Sequence, residues 1–272
     1  MHGLGNDFFV TEALSQPFDL RKDQIRALAN RKTGVGFDQL LLIEPPHKVD
    51  IDFNYRIFNA DGSEVEQCGN GVRCLAKFVR DKKLCGKKTL TVSTQNSEMH
   101  IEVISNRKFK VNMGAPRFDA ESVAFDPSAT LTGDNRYQLQ HSLGETELSI
   151  CSMGNPHAVT IVDDVNTAAV ETIGPLIETH PQFTQGVNVG FLQAIDRENI
   201  KLRVFERGVG ETQACGSGAC AAMAVAKKRG LIDPIVTVRL RGGELNIEWA
   251  EGDNPLFMTG PAVTVYDGRV RV

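Results

Sequence analysis

Two cysteines, Cys68 and Cys215, sit in loops that repeat one another. The first runs Phe58-Asn59-Ala60-Asp61-Gly62-Ser63-Glu64 and on to Gln67-Cys68-Gly69-Asn70-Gly71. The second runs Phe205-Glu206-Arg207-Gly208-Val209-Gly210-Glu211 and on to Ala214-Cys215-Gly216-Ser217-Gly218. A shift of 147 residues aligns Phe58 with Phe205, Glu64 with Glu211, Gly69 with Gly216, Gly71 with Gly218 and Leu84 with Leu231. A free thiol titrates near ~8.5, and a helix N-terminus lowers that value. Each cysteine precedes Gly-x-Gly at an expected helix start, where backbone amides and the helix dipole make a site for an anion. Two such loops around one carboxylate would place a sulfur on each face of the neighbouring carbon. That suits inversion at the carbon: a thiolate removes the proton from one face and a thiol delivers one to the other. The amides stabilise charge that grows on the carboxylate. The two sulfurs must then titrate as a coupled pair.

The remaining cysteines read differently. Cys74 and Cys220 lie on apolar helical stretches, and Cys85 and Cys151 have no partner loop, so all four are expected as small buried hydrophobes. No C-x-x-C pair occurs and no histidine stands at zinc-ligand spacing, so no metal is expected. Glu206 and Arg207 break the repeat, because they replace Asn59 and Ala60. An arginine can grip a carboxylate with two parallel hydrogen bonds, and a glutamate can accept from an ammonium. Recognition of a second charged group is the expectation; a solvated salt bridge is the alternative. His157 is a candidate auxiliary proton carrier, the alternative being a polar loop residue.

Those residues need elements to hold them. Ile51, Phe53, Tyr55 and Ile57 alternate as a strand with one buried face does, and Ile200, Leu202 and Val204 repeat the pattern. A helix is expected after each cysteine. In the first, Val72, Leu75, Ala76 and Val79 form one stripe, and Cys85-Gly86 is the stop. The second, from Gly218 to Ala226, is small and apolar all round, hence enclosed, with Gly230 as its stop. An earlier helix around Asp23 to Arg31 turns Ile25, Leu28 and Ala29 inward and ends at Gly34 and Gly36. Val236 to Leu240 and Leu245 to Trp249 flank Gly242-Gly243 as a hairpin. Further matches keep the same order. Gly5-Asn6-Asp7-Phe8 resembles Gly154-Asn155-Pro156-His157, Gly36-Phe37-Asp38 resembles Gly186-Val187-Asn188, and Met113-Gly114-Ala115-Pro116 resembles Met258-Thr259-Gly260-Pro261. A period this long points to two tandem domains. The fold class expected is α+β: two similar, pseudo-symmetric domains, each a curved, mostly antiparallel sheet wrapped around a central helix, with the active site in the cleft between them.

Bulk properties narrow the function. The chain has 272 residues, of which 41% are hydrophobic and 24% charged, with a net charge of −4. That is ordinary globular composition. The charge is spread out, which argues against nucleic acid as a partner. No apolar run reaches membrane-spanning length, so no membrane association is expected. The start, Met1-His2-Gly3-Leu4-Gly5, lacks a signal peptide's charged and apolar regions, so a cytoplasmic protein with reduced thiols is expected.

Taken together, these segments resemble the diaminopimelate epimerase family over essentially the whole chain. The resemblance rests on Met1 to Phe8, Asn59 to Ser63, Cys68 to Cys74, Gly154 to His157, Gly186 to Asn188, Glu206 to Gly208 and Ala214 to Cys220. It implies an isomerase that needs no cofactor and interconverts LL- and meso-diaminopimelate in lysine and peptidoglycan precursor synthesis. It implies Cys68 and Cys215 as the two catalytic bases. Backbone amides of Gly69, Asn70, Gly216 and Ser217 would hold the reacting carboxylate. Asn6, Gln39, Asn59, Asn155, Asn188, Glu206 and Arg207 would line the substrate pocket. It implies domains at 1–112 with 259–272, and at 113–258, and a homodimer as a possible assembly. Family members carry a few residues before the Met-His-Gly segment, so a shortened first strand is expected here. Two other readings share the pattern: a proline-type racemase or hydroxyproline epimerase, and an amino-acid-binding module with silent cysteines.

Overall fold

The structure, a computed structural model, describes residues 1–65, 69–94, 97–128 and 130–271, with backbone alone for residues 130–132. It divides into two compact units, Met1–Asn112 with Thr259–Val272, and Met113–Met258. Among the described residues no helix is long and apolar enough to cross a membrane.

The first unit contains β1 (His2–Gly3), β2 (Asn6–Glu12), α1 (Lys22–Ala29), β3 (Gln39–Glu44), β4 (Phe53–Asn59), β5 (Glu64–Val65), α2 (Gly69–Asp81), β6 (Thr89–Ser93), β7 (Glu98–Ser105) and β8 (Lys108–Asn112). Antiparallel pairs join β1–β2, β3–β4, β4–β5, β6–β7 and β7–β8. Parallel pairs join β2–β3 and β4–β6. The second unit contains β9 (Thr130–Gly133), β10 (Arg136–His141), β11 (Gly144–Ser152), β12 (Pro156–Ile161), α3 (Val170–Glu178), β13 (Asn188–Ala194), β14 (Asn199–Glu206), β15 (Gly210–Thr212), α4 (Gly216–Lys228), β16 (Ile235–Leu240) and β17 (Gly243–Glu248). Its parallel pairs, β12–β13 and β14–β16, fall at the corresponding places. The last strand, β18 (Phe257–Pro261), pairs with β8. The fold is α+β, with mixed, sheet-dominated units and few helices.

The register preserves the repeat. Phe58 faces Glu64 across β4–β5, and Phe205 faces Glu211 across β14–β15. Phe8 faces Gln39 in the first unit, and His157 faces Asn188 in the second. Gln39 is therefore the counterpart of Asn188. The sequence alignment set Asp38 in that place, and the register corrects it by one residue. Gly5 and Gly154 share a left-handed backbone, at φ 88° and 89°.

A central helix lies against each sheet, α2 on β1, β2, β3, β7 and β8, and α4 on β11 to β14, β16 and β17. A second helix covers the other sheet face. Ile25, Leu28 and Ala29 of α1 pack with Leu40, Leu42 and Phe58. Val170 and Ile177 of α3 pack with Ala158, Val189 and Phe191. For this reason Phe58, on the second face of β4, is buried although Arg56 beside it on that face is partly exposed. The sequence reading contained no helix at α3, because Gly174-Pro175 interrupts the pattern. A side chain at Gly174 would meet the Phe205 ring at 2.6 Å, so glycine is what lets α3 lie on β14.

Both central helices end alike, in a Schellman turn. Leu84 N–H bonds the Val79 carbonyl and Lys83 N–H that of Arg80; Leu231 bonds Ala226 and Gly230 bonds Lys227. The first helix thus stops at Asp81, before the expected Cys85-Gly86. The left-handed residue is Gly230 in one unit, at φ 70°, and Lys83 in the other, at φ 56°. A side chain in that conformation is strained and glycine is not. We expect Lys83→Gly to stabilise the protein by about 0.5–1 kcal/mol, read as a raised urea midpoint, and Gly230→Ala to lower it by a similar amount.

Candidate active site

In the first unit, Cys68 lies outside the described residues, and the surrounding loop is traced through its neighbours. Asn70 is buried, and its amide links two groups. Its Nδ2 donates to Asn6 Oδ1 at 3.3 Å, and its Oδ1 accepts from Arg73 Nη2 at 2.8 Å. Arg73 is wholly buried, and donates also to the carbonyls of Gly69 and Pro261. Lys77 is buried beside it and pairs with Asp81 at 2.5 Å. These satisfied cations explain why α2 is enclosed nearly all round, although its sequence shows a single apolar stripe. Asn6 Nδ2 donates to Asp38, and Arg31 bridges Asp38 and Asp7 at 2.7 Å each. Gln39 Nε2 donates to Asn59 Oδ1 at 3.0 Å, and Asn59 in turn donates to Ser63 Oγ. Asn6 with Asn70, and Gln39 with Asn59, are thus each brought together.

In the second unit, Cys215 caps α4 with an extended backbone and carries a free, buried thiol. Its Sγ lies 3.6 Å from Ser217 Oγ. Asn155 Nδ2 donates to that hydroxyl at 3.2 Å, and His157 Nε2 lies 3.0 Å from Asn155 Oδ1. A side chain at Gly218 would stand 3.3 Å from the sulfur, so glycine keeps this space open. The amides of Gly216 and Ser217, in the first turn of α4, have no acceptor within the helix and suit a carboxylate. Asn188 braces the neighbouring turn. Its Nδ2 donates to the Pro156 carbonyl and its Oδ1 accepts from the Arg207 backbone. The Arg207 guanidinium is exposed and donates to the Gln185 carbonyl at 2.9 Å.

Electrostatics here differ from expectation. A helix N-terminus should lower the Cys215 thiol, yet it lies well above its ordinary value. Burial is the largest cause, and the Glu206 carboxylate, which hydrogen-bonds the thiol, adds to it. The Gly218 amide and Ser217 hydroxyl oppose these and are outweighed. Cys215 is therefore held as a thiol. Glu206, expected as an acceptor for a ligand's ammonium, stands beside the sulfur. His157, a candidate auxiliary proton carrier with a polar loop residue as the alternative, is a buried residue of β12. Burial, reinforced by the Arg207 charge, pushes it down to about 3. It is neutral at working pH and orients Asn155.

A duplicated ion pair, unnoticed in the sequence, holds both loops. Arg56 forks onto Glu64 at 2.8 Å, and Arg203 onto Glu211 at 2.6 and 2.8 Å. Both members obey the 147-residue shift, which is the signal that could have revealed it. The second pair is more deeply set, with side chains 11% and 5% exposed against 35% and 32% in the first. Arg203 also donates to the carbonyls of Val165 and Ala168. A cavity of about 630 Å³, lined by Glu44, Lys48, Asn54, Arg56 and Glu98 among others, touches the Arg56–Glu64 pair through Arg56 and includes none of the candidate substrate-lining residues. Its Lys48–Glu98 pair is internally satisfied.

This architecture recurs in solved structures. A probable proline racemase from Agrobacterium radiobacter with bound carbonate matches with a TM-score of 0.69, at 16% identity, over 100% of this chain and 91% of its own. A hydroxyproline epimerase from Agrobacterium vitis, with bound trans-4-hydroxy-L-proline, matches at 0.66 and 14%, over 95% and 87%. A PhzF-family phenazine biosynthesis protein from Bacillus anthracis matches at 0.63 and 16%, over 93% and 90%. The fold is thus one shared by amino-acid racemases, epimerases and PhzF proteins. Within it, this chain belongs to the diaminopimelate epimerase family, whose model matches residues 1–118 and 149–265.

Two stability outcomes follow from the site. Removing one partner of a buried pair leaves a charge stranded, at a cost of about 3–5 kcal/mol, whereas an exposed pair is worth about 1 kcal/mol or less. Glu211→Ala should therefore destabilise far more than Glu64→Ala in urea unfolding. For His157, the folded value lies below the unfolded one, so its contribution is intact above about pH 6.5 and is lost as pH falls towards 3. At pH 4.5 this costs about 2–3 kcal/mol. Unfolding of His157→Gln at pH 7 and 4.5 should show a correspondingly smaller acid loss than the parent.

Proposed function

We propose that the protein is a cofactor-independent epimerase that interconverts LL- and meso-diaminopimelate, with Cys68 and Cys215 acting on opposite faces of one α-carbon. The observation that carries this is the Cys215 half-site: a buried thiol, held protonated beside Glu206, at the end of a helix whose first amides are free for a carboxylate. The family supplies the reaction class, and the loop repeat supplies the second sulfur. Such a substrate would feed lysine and peptidoglycan precursor synthesis.

In this reading Cys68, as thiolate, takes the α-proton, and its S–H bond forms as the C–H bond breaks. The electron pair left behind spreads into the carboxylate, held by the amides of Gly216 and Ser217 and by those of Gly69 and Asn70. Cys215 gives its proton to the opposite face and leaves as thiolate. The pair has then exchanged protonation states, and the reverse reaction restores them. Glu206 orients the donor thiol, and Arg207 is a second charged contact for the far end of a diamino diacid. Asn6, Gln39, Asn59, Asn155 and Asn188 complete the lining.

The test is incubation with LL-diaminopimelate in deuterated water. We expect meso product carrying deuterium at the inverted carbon, and a loss of about 10²–10⁴-fold in turnover for Cys68→Ala and for Cys215→Ala. Turnover of proline but not of diaminopimelate would reject the substrate. Binding without exchange, unchanged by either cysteine substitution, would reject catalysis.

A further inference from the structure

We propose that Thr212 is a positioning residue that fixes the Glu206 carboxylate against the Cys215 thiol. The proposal rests on the reading of Cys215 as proton donor and adds the residue that sets its geometry.

Across β14–β15, Val204 faces Thr212 and Glu206 faces Gly210. Side chains alternate along a strand, so Val204, Glu206 and Thr212 share one face. That face looks onto α4, since Val204 lies against Gly218 at 3.3 Å from where its side chain would be. Thr212 Oγ1 donates to Glu206 Oε1 at 2.5 Å. On the opposite face the Arg203–Glu211 fork fixes the same hairpin. The first unit supplies an internal control. There Asn59 stands in place of Glu206, and Val65 in place of Thr212. Asn59 is held by Gln39 and Ser63 and needs no donor from Val65. At this place on β5 and β15 a hydroxyl appears only in the copy that carries the carboxylate. A carboxylate beside a buried thiol is costly to desolvate and free to rotate unless something donates to it. Thr212 does both jobs, holding the charged form and its direction. Other charges near this contact are accounted for. Arg203, Glu211 and Arg241 form one cluster on the far face, Glu171 and Glu178 lie on α3, Arg207 points to Gln185, and His157 is neutral.

Thr212→Val is the direct test, because valine is the same shape and already occupies this place in the first unit. In the epimerase assay we expect kcat to fall about 10-fold or more, with KM within about two-fold. The acidic limb of the kcat profile should move to higher pH, because a carboxylate that loses a donor binds its proton more tightly. Thr212→Ser should restore most of the rate. In the Glu206→Gln background, Thr212→Val should add nothing further. A second readout needs no substrate: the pH dependence of Cys215 alkylation by iodoacetamide, followed by mass spectrometry of its peptide. Its midpoint should fall in Thr212→Val, as the carboxylate ceases to hold the thiol protonated. An unmoved alkylation midpoint, or an equal loss of rate in the Glu206→Gln background, overturns the proposal. Inactivity of the parent enzyme on diaminopimelate would instead sink the preceding reading, and the alkylation midpoint would still decide this one. If Thr212→Val lowers the thermal midpoint strongly, Thr212→Ser and the alkylation curve carry the decision.

Discussion

A short hairpin in each unit, pinned by an arginine that forks onto a glutamate on the returning strand, sets where a cysteine loop begins. The glutamate precedes the cysteine by four residues in both units. Any slip of β5 or β15 by one residue would turn every side chain to the opposite sheet face. The fork forbids that slip, because both nitrogens must meet both oxygens. The helix that follows inherits the position, and with it the direction of its first amides. The ion pair is thus less a source of net stability than a register lock. Burying it costs desolvation that the attraction barely offsets, and what remains is specificity.

From the same backbone the two units have diverged in charge. The first has a buried arginine, Arg73, on its central helix, and the second has Cys220 at the aligned place. The first has Asn59 and Val65 on the helix-facing side of its hairpin; the second has Glu206 and Thr212. The first turn of one central helix therefore holds a buried cation, and the first turn of the other lies beside a carboxylate. The duplication has thus kept the geometry of the two half-sites while reversing the charge set into each.

Much of this was legible in the chain. Ile25, Leu28 and Ala29 are the inner face of α1, the all-apolar Gly218 to Ala226 run is enclosed, and Gly230 ends α4. These succeed because period and stop signals are local. The failures share a cause in long-range packing. Phe58, on the face of β4 expected to be open, is buried because α1 packs on it. Arg73 looked like the polar side of an amphipathic helix, yet its buried partners include the Pro261 carbonyl, 188 residues away. α3 was hidden by a Gly-Pro pair whose glycine answers to the Phe205 ring. The thiol's direction was misjudged because a helix dipole can be read from sequence, whereas burial and a neighbouring carboxylate cannot.

The second unit also shows why an enzyme of this kind would tolerate a buried, reluctant thiol. A sulfur lowered by its helix would be a ready nucleophile, open to oxidation and alkylation. Burial removes that exposure, and Glu206 favours the protonated form. In the proposed reaction, proton transfer from Cys215 to a neighbouring carbanion would move the negative charge from carbon to sulfur within the same low-dielectric setting. The cost falls on the thiolate that remains, which the Gly218 amide and Ser217 hydroxyl are placed to receive. Glycine at 218 leaves, by its missing side chain, the space beside the sulfur.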